Sequence, residues 1–215
     1  MLVRDVMTSN VVTIPSNTPV LEAERILEFH RFERLPVVDK GKLVGLVTKD
    51  NLLRSSPSSA TSLSRGELQY LLSKLTVKEI MKKDVITVSP DIAVEQAVAI
   101  AQGNKVGCLV IVEGDRVVGI LTTNDIFYKI LNPLLGIGEA GKRIIIHGAG
   151  EPEQMQKVIE SVSKSGIKVK TFCSLKSPEA EETDLILHLD AEDISPLTSQ
   201  LKGMGFSVDI REHAP

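Results

Sequence analysis

The seven residues Gly119-Ile120-Leu121-Thr122-Thr123-Asn124-Asp125 set a hydroxyl and a carboxylate three positions apart, behind a glycine and two aliphatic side chains. If Thr122 ends a strand and Asp125 lies in the first turn of the next helix, both side chains converge on one spot. The helix start adds unpaired backbone N–H groups and a partial positive charge. A carboxylate accepts both hydrogens of a vicinal diol, and a hydroxyl can bond a phosphate oxygen. Thr and Asp also favour helix capping, so the spacing alone leaves capping and ligand binding both open. A second stretch, Gly45-Leu46-Val47-Thr48-Lys49-Asp50-Asn51, repeats the spacing with Asn51 in place of the carboxylate. Asn51 is neutral and one of its two polar atoms is a donor, so it cannot accept both diol hydrogens. The first copy is the weaker candidate, with capping alone as its other reading.

Those two stretches belong to a duplication. Residues 3–53 and 77–127 align without a gap at an offset of 74, and twelve of the 51 positions are identical. Such register marks a repeated structural unit. Each copy reads β-α-β-β-α. An extended piece (NVVTIP; DVITVSP) precedes a helix striped by Val20, Ala23 and Ile26-Leu27, or by Val94, Ala97-Val98 and Ala101. Thr18-Pro19 and Asp91 offer the N-caps, with Pro at the first helical position. Two strands follow in each copy, LPVVD with KLVGLVT and CLVIVE with RVVGILT, reversed by DKGK and EGDR. A last helix begins near Asn51 and Asp125. One such unit is small for independent stability, so the copies are expected to pack together and share a core.

The expected domain limits are 1–53 and 77–132 for the repeats, 54–76 for the segment between them, and 141–215 for a C-terminal unit. Within 54–76, RSSPSSATSLS reads as a flexible linker. RGELQYLLSKL reads as a docking helix with Leu68, Leu71, Leu72 and Leu75 on one face. In the C-terminal unit RIIIHGA, IKVKTFCSL, TDLILHLD and FSVDIRE are strands. Two helices, closed by Gly166 and Gly205, complete a βαββαβ, ferredoxin-like order. Gly148-Ala149-Gly150 lacks the full GxGxxG spacing of a dinucleotide fold and reads as a turn.

Composition narrows the function classes. Hydrophobic residues make up 42% and charged residues 25%, which excludes a disordered chain. A net charge of −3 supplies no general field for nucleic acid or an anionic membrane. Aromatic residues total 3% and Trp is absent, which argues against base-stacking surfaces. No apolar run approaches the ~20 residues that span a bilayer, and MLVRDVMTSN lacks a signal peptide's apolar stretch. Two cysteines, Cys108 and Cys173, make no disulfide framework. A reducing, cytoplasmic setting is expected, with neither nucleic acid nor membrane as partner. His30, His147, His188 and His213 have no metal-ligand spacing. No nucleophile–base or carboxylate pair carries a signature, so an enzyme is not expected.

The duplicated pattern resembles the CBS domain, and the pair resembles a Bateman module, in an α/β (α+β) fold. The carrying residues are the openings Val6-Met7-Thr8 and Ile80-Met81-Lys82, the strand LPVVD, and the segments VGLVTKDNL and VGILTTNDI. The resemblance covers residues 1–130. It implies a ribose-binding signature, met in full from Gly119 to Asp125 and broken at Asn51. It implies an adenine nucleotide (AMP, ADP or ATP, with NAD and S-adenosylmethionine as further candidates) held by Thr122 and Asp125, and by Thr48 and Asn51. The backbone near Thr13 or Thr87 would bond the adenine edge. Arg34 stands where related modules place a phosphate-contacting basic residue, although an Arg amid RFER also reads as a solvated surface charge. Cys108 holds the matching place in the second copy.

The C-terminal unit is similar to an ACT domain in its order of elements. HGAGEPEQ lacks the Asp that amino-acid-binding members carry in the first strand–helix turn, so a dimerisation or docking role stands beside amino-acid sensing. The whole chain looks like the acetoin-utilisation (AcuB-type) CBS–ACT family. That resemblance implies a non-catalytic regulatory homodimer with no obligatory cofactor, acting on an unidentified protein target. The alternative is a constitutive oligomerisation scaffold whose CBS sites stay empty.

Overall fold

The computed structural model describes residues 1–55, 70, 74–176, 178 and 181–212. The Ser-rich linker and most of the expected docking helix lie outside the described residues. The chain divides into two compact units, Met1–Ile126 and Phe127–Pro215.

In the first unit the first repeat runs α1 (Val3–Val6), α2 (Val20–His30), β1 (Arg34–Asp39), β2 (Lys42–Thr48) and α3 (Lys49–Ser55). The second repeat runs α4 (Val77–Ile80), β3 (Thr87–Val88), α5 (Val94–Gly103), β4 (Cys108–Glu113), β5 (Arg116–Thr122) and α6 (Thr123–Ile126). β1 pairs antiparallel with β2, and β4 with β5. The first hairpin closes on Lys40-Gly41, at φ 50° and 81°, the primed turn whose twist matches antiparallel strands. Both hairpins carry a register shift, between Val37 and Val38 and between Ile111 and Val112, at equivalent positions of the two copies.

The repeats clasp each other by matched backbone bridges. Thr8 bridges Ile120 as Lys82 bridges Leu46, and Leu2 bridges Ala93 as Thr76 bridges Pro19. Each bridge maps onto its counterpart at the sequence offset, so the unit has internal two-fold symmetry. Leu46 of the first copy buries against Cys108 and Val110 of the second, which is the shared core expected from repeat size. The first repeat's own core gathers Val20, Ala23 and Leu27 of α2 with Leu35, Val37, Val47 and Leu52.

Two local expectations need correction. Thr18 and Asp91 are not helix caps: α2 and α5 begin behind Pro19 and Ala93, without a side-chain cap bond. The Thr18 hydroxyl instead donates to the Pro15 carbonyl at 2.7 Å. The Val20 N–H donates to the Leu75 carbonyl and the Val94 N–H to the Met1 carbonyl, so backbone from the other repeat's leading segment satisfies the helix ends that a side chain would otherwise serve. The extended pieces also shrink. NVVTIP makes a single parallel bridge, Ile14 to Val37, and DVITVSP only the two-residue β3.

The second unit begins with a π-helical turn at Phe127–Leu131 and α7 (Asn132–Leu135). It continues β6 (Lys142–Ile146), α8 (Pro152–Ser165), β7 (Val169–Leu175), β8 (Asp184–Leu189), α9 (Ser195–Gly203) and β9 (Val208–Glu212). The strands form one sheet in the order β7-β8-β6-β9, with every neighbouring pair antiparallel. That is the order of a split βαβ arrangement. Alternate residues Ile144, Ile146, Leu185, Leu187 and Leu189 bury beneath Val158 and Val162 of α8 and Leu197 and Leu201 of α9. The strand period of two and the helical i, i+4 spacing meet in that core.

Candidate functional site

β5 ends on Thr122, and α6 places Asp125 in its first turn. The Thr122 N–H donates to Asp125 Oδ2 at 2.8 Å, and the Thr122 hydroxyl donates to the same oxygen at 2.6 Å. Asp125 N–H returns a bond to Thr122 Oγ1 at 3.3 Å. The other carboxylate oxygen, Oδ1, accepts from the Thr8 hydroxyl at 2.9 Å. Thr8 belongs to the first repeat and exchanges backbone bonds of 2.9 and 3.0 Å with Ile120. Asp125 is only 7% exposed. Its carboxylate therefore both caps α6 and ties one repeat to the other.

That carboxylate stands in the wall of a cleft of about 400 Å³, within the ordinary range of small-molecule sites. Val11, Val12 and Ile120 supply aliphatic wall, and Thr8, Asn10, Thr123 and Asn124 supply polar groups. Arg31, Phe32 and Arg34 close the side that comes from the end of α2 and the start of β1. Arg31 holds φ at 55° where α2 terminates, a left-handed conformation uncommon in residues other than glycine. Two arginines thus line the cleft beside Asp125, and both repeats build it.

The first copy's Thr48 and Asn51 reproduce the local cap. Asn51 Oδ1 accepts the Thr48 N–H at 3.0 Å and the Thr48 hydroxyl at 2.8 Å. Neither residue lines the Asp125 cleft. Thr13 lies off that lining as well; Val11 and Val12, just before it, form the wall. Thr87 lines a separate cleft of about 280 Å³ with Lys42, Lys83 and Asp115. Of the residues expected to bind, the structure brings together Thr122, Asp125 and Arg34. Thr13, Thr48, Asn51 and Thr87 stand elsewhere.

Thr8, Asn10, Arg31 and Phe32 join the cleft without having been singled out as binding residues. Only Thr8 carried a signal, as part of the Val6-Met7-Thr8 opening. The glycines of the two signatures find a packing reason. A Cβ built on Gly119 would overlap the Met7 thioether, and one on Gly45 would overlap Met81. Each glycine makes room for the opening methionine of the opposite repeat. Cys108, symmetric to Arg34, is buried, and burial pushes its thiol up further than nearby Arg34 and Lys82 pull it down. Among the described residues no His, Cys, Asp or Glu cluster is placed to hold a metal ion. Among them, too, no helix is long and apolar enough to cross a membrane.

Comparison with known proteins agrees with this geometry. The CBS domain model matches residues 3–58 and 77–132. Over 127 residues the chain is 35% identical to L-aspartate semialdehyde sulfurtransferase of Methanocaldococcus jannaschii, covering 58% of this chain and 22% of that protein. Over 134 residues it is 32% identical to inosine-5'-monophosphate dehydrogenase of Korarchaeum cryptofilum, covering 62% of this chain and 25% of that protein. The matched region spans about a quarter of the length of these two enzymes. A solved structure from Vibrio cholerae, provisionally named an acetoin utilization protein (AcuB), superposes with a TM-score of 0.53 at 28% identity, covering 61% of this chain and 91% of that chain. With both copies matched and their symmetry intact, the chain belongs to the CBS domain family and carries a tandem pair of its domains.

Proposed function

We propose that this chain is a non-catalytic regulatory protein whose CBS pair takes an adenine nucleotide in the Asp125 cleft. The carrying observation is that Thr122 and Asp125 share one cleft with Arg31 and Arg34. The carboxylate suits a ribose diol, the guanidinium groups suit phosphate oxygens, and the Val11, Val12 and Ile120 wall suits an adenine ring. Because both repeats line the cleft, occupancy favours the inter-repeat arrangement that fits the ligand best. The second unit reads as an ACT-like docking or dimerisation domain that passes the state on, in a cytoplasmic homodimer with no obligatory cofactor. Sedimentation at micromolar concentration is expected to give twice the 23.4 kDa chain mass; a monomer would remove the dimer from this picture.

A thermal-shift panel of AMP, ADP, ATP, NAD and S-adenosylmethionine tests the ligand reading. A nucleotide at 100 times its Kd stabilises by about 2.7 kcal/mol, which is readily seen. A flat panel, with no absorbance at 260 nm carried through purification, overturns it. One observation favours a scaffold reading instead: the Thr8–Asp125 bond ties the repeats through the protein's own side chains. The flat panel is the outcome that this second reading expects.

A further inference from the structure

We propose that Gly107 is a positioning residue that aims Arg34 at the anionic end of the ligand. The proposal rests on the ligand reading above and adds to it a device for phosphate preference. Gly107 lies behind two residues of the cleft wall: its carbonyl accepts the N–H of Thr123 at 3.3 Å, and Arg34 is its other neighbour. The Arg34 guanidinium lies against it: a Cβ built on Gly107 would meet Nη2 at 3.0 Å, tighter than an ordinary van der Waals contact. The symmetric position in the first repeat is Glu33, whose carbonyl accepts the Lys49 N–H at 3.0 Å. The backbone role is thus kept in both copies while the side chain is kept in only one. Its absence at position 107 makes room for a guanidinium that comes from the opposite repeat.

The position opposite Arg34 in the symmetry is Cys108, a buried residue whose thiol burial keeps protonated and uncharged. A guanidinium presents its donors in a rigid planar fork, so its value to a phosphate depends on its aim. Gly107 supplies the seat that fixes this aim. Gly107 is not among the glycines at positive φ, so an alanine fits the backbone there and acts only by displacing the guanidinium.

The experiment is calorimetric titration of the full chain with AMP, ADP, ATP and adenosine. It compares wild type, Gly107→Ala, Arg34→Ala and the double variant, each checked for an unchanged unfolding midpoint. Gly107→Ala is expected to weaken the tightest nucleotide about 3- to 10-fold and adenosine less than about twofold. Arg34→Ala is expected to weaken the same nucleotide about tenfold or more, and adding Gly107→Ala to it to change nothing further. Should adenosine bind below detection, the double variant alone decides. Equal losses for nucleotide and adenosine, or losses that add in the double variant, overturn the role of Gly107 and leave the ligand reading standing. A wild type that binds none of the four overturns the ligand reading itself, and this inference with it.

Discussion

Asp125 accepts hydrogens from Thr122 of its own repeat and from Thr8 of the other, so removing it breaks a cap and a clasp together. Asn51 reproduces only the cap. Asp125→Ala should therefore destabilise by about 1.5–3 kcal/mol and Asn51→Ala by about 1 kcal/mol. Asp125→Asn should lie between wild type and Asp125→Ala, because an amide oxygen keeps the cap, as Asn51 does, while the amide nitrogen cannot accept the Thr8 hydrogen. Urea unfolding of the three variants gives these differences, and equal costs for the two alanine variants would deny the clasp. Cys108 gives a second residue-scale test. Burial raises its thiol, and a thiolate is needed for reaction. A thiol reagent near pH 8 should label partly exposed Cys173 well before Cys108, with Cys108 reacting only as the protein unfolds. Equally fast labelling would mean that the β4 start opens readily. At this scale the sequence named Thr122, Asp125 and Arg34 because hydroxyl, carboxylate and cation carry their chemistry in their identity. Thr8 and Arg31 escaped because they share a cleft with Asp125 only in the fold, from more than a hundred and about ninety positions away in the chain.

Helix starts and glycines show what element-level reading can reach. The hairpins, their turns and the helical stripes were legible because periodicity and turn residues are local signals. The caps expected at Thr18 and Asp91 failed because backbone groups of distant segments, Leu75 and Met1, reached the helix ends first. No local pattern encodes that. Gly119 carries the converse lesson: the signature counts it among the ligand-binding positions, yet its bare Cα serves the Met7 side chain of the other repeat. Gly119→Val should cost about 1–3 kcal/mol by overpacking, and Met7→Ala in the same chain should recover part of it. A thermal melt of the double variant no better than the single one would place the strain elsewhere. At the end of β1, Asp39 accepts from the hydroxyl and from the N–H of Ser16, which precedes α2, and these bonds hold its carboxyl below the usual range. A depressed carboxyl adds stability above its unfolded value, and that stability disappears as pH falls through the folded value. The melting advantage of wild type over Asp39→Asn should thus be present at pH 7 and shrink below about pH 4. An advantage that grows in acid would contradict the assignment.

At the scale of the whole molecule, duplication is what makes a cleft of this kind available. Two copies clasped by matched bridges set the Thr122–Asp125 signature in a cleft that the other copy helps to line, and divergence then made the two faces unequal. Thr8 against Lys82, Arg34 against Cys108 and Asp125 against Asn51 are the differences that matter. The duplication and the βαββαβ order of the second unit were both readable from the chain, since each repeats a pattern over tens of residues. The pairing of one repeat's signature with the other repeat's opening was not, because offset symmetry fits pairing within a copy equally well. The central claim is that the Asp125 cleft, and not its Asn51 counterpart, holds the nucleotide. Calorimetric titration of wild type, Asp125→Ala and Asn51→Ala with AMP, ADP and ATP tests it most directly. The expected result is a loss of about 10- to 150-fold for Asp125→Ala in the tightest nucleotide, against about 2- to 10-fold for Asn51→Ala. Equal affinities for wild type and Asp125→Ala would contradict it and leave Asp125 as a cap and a clasp alone.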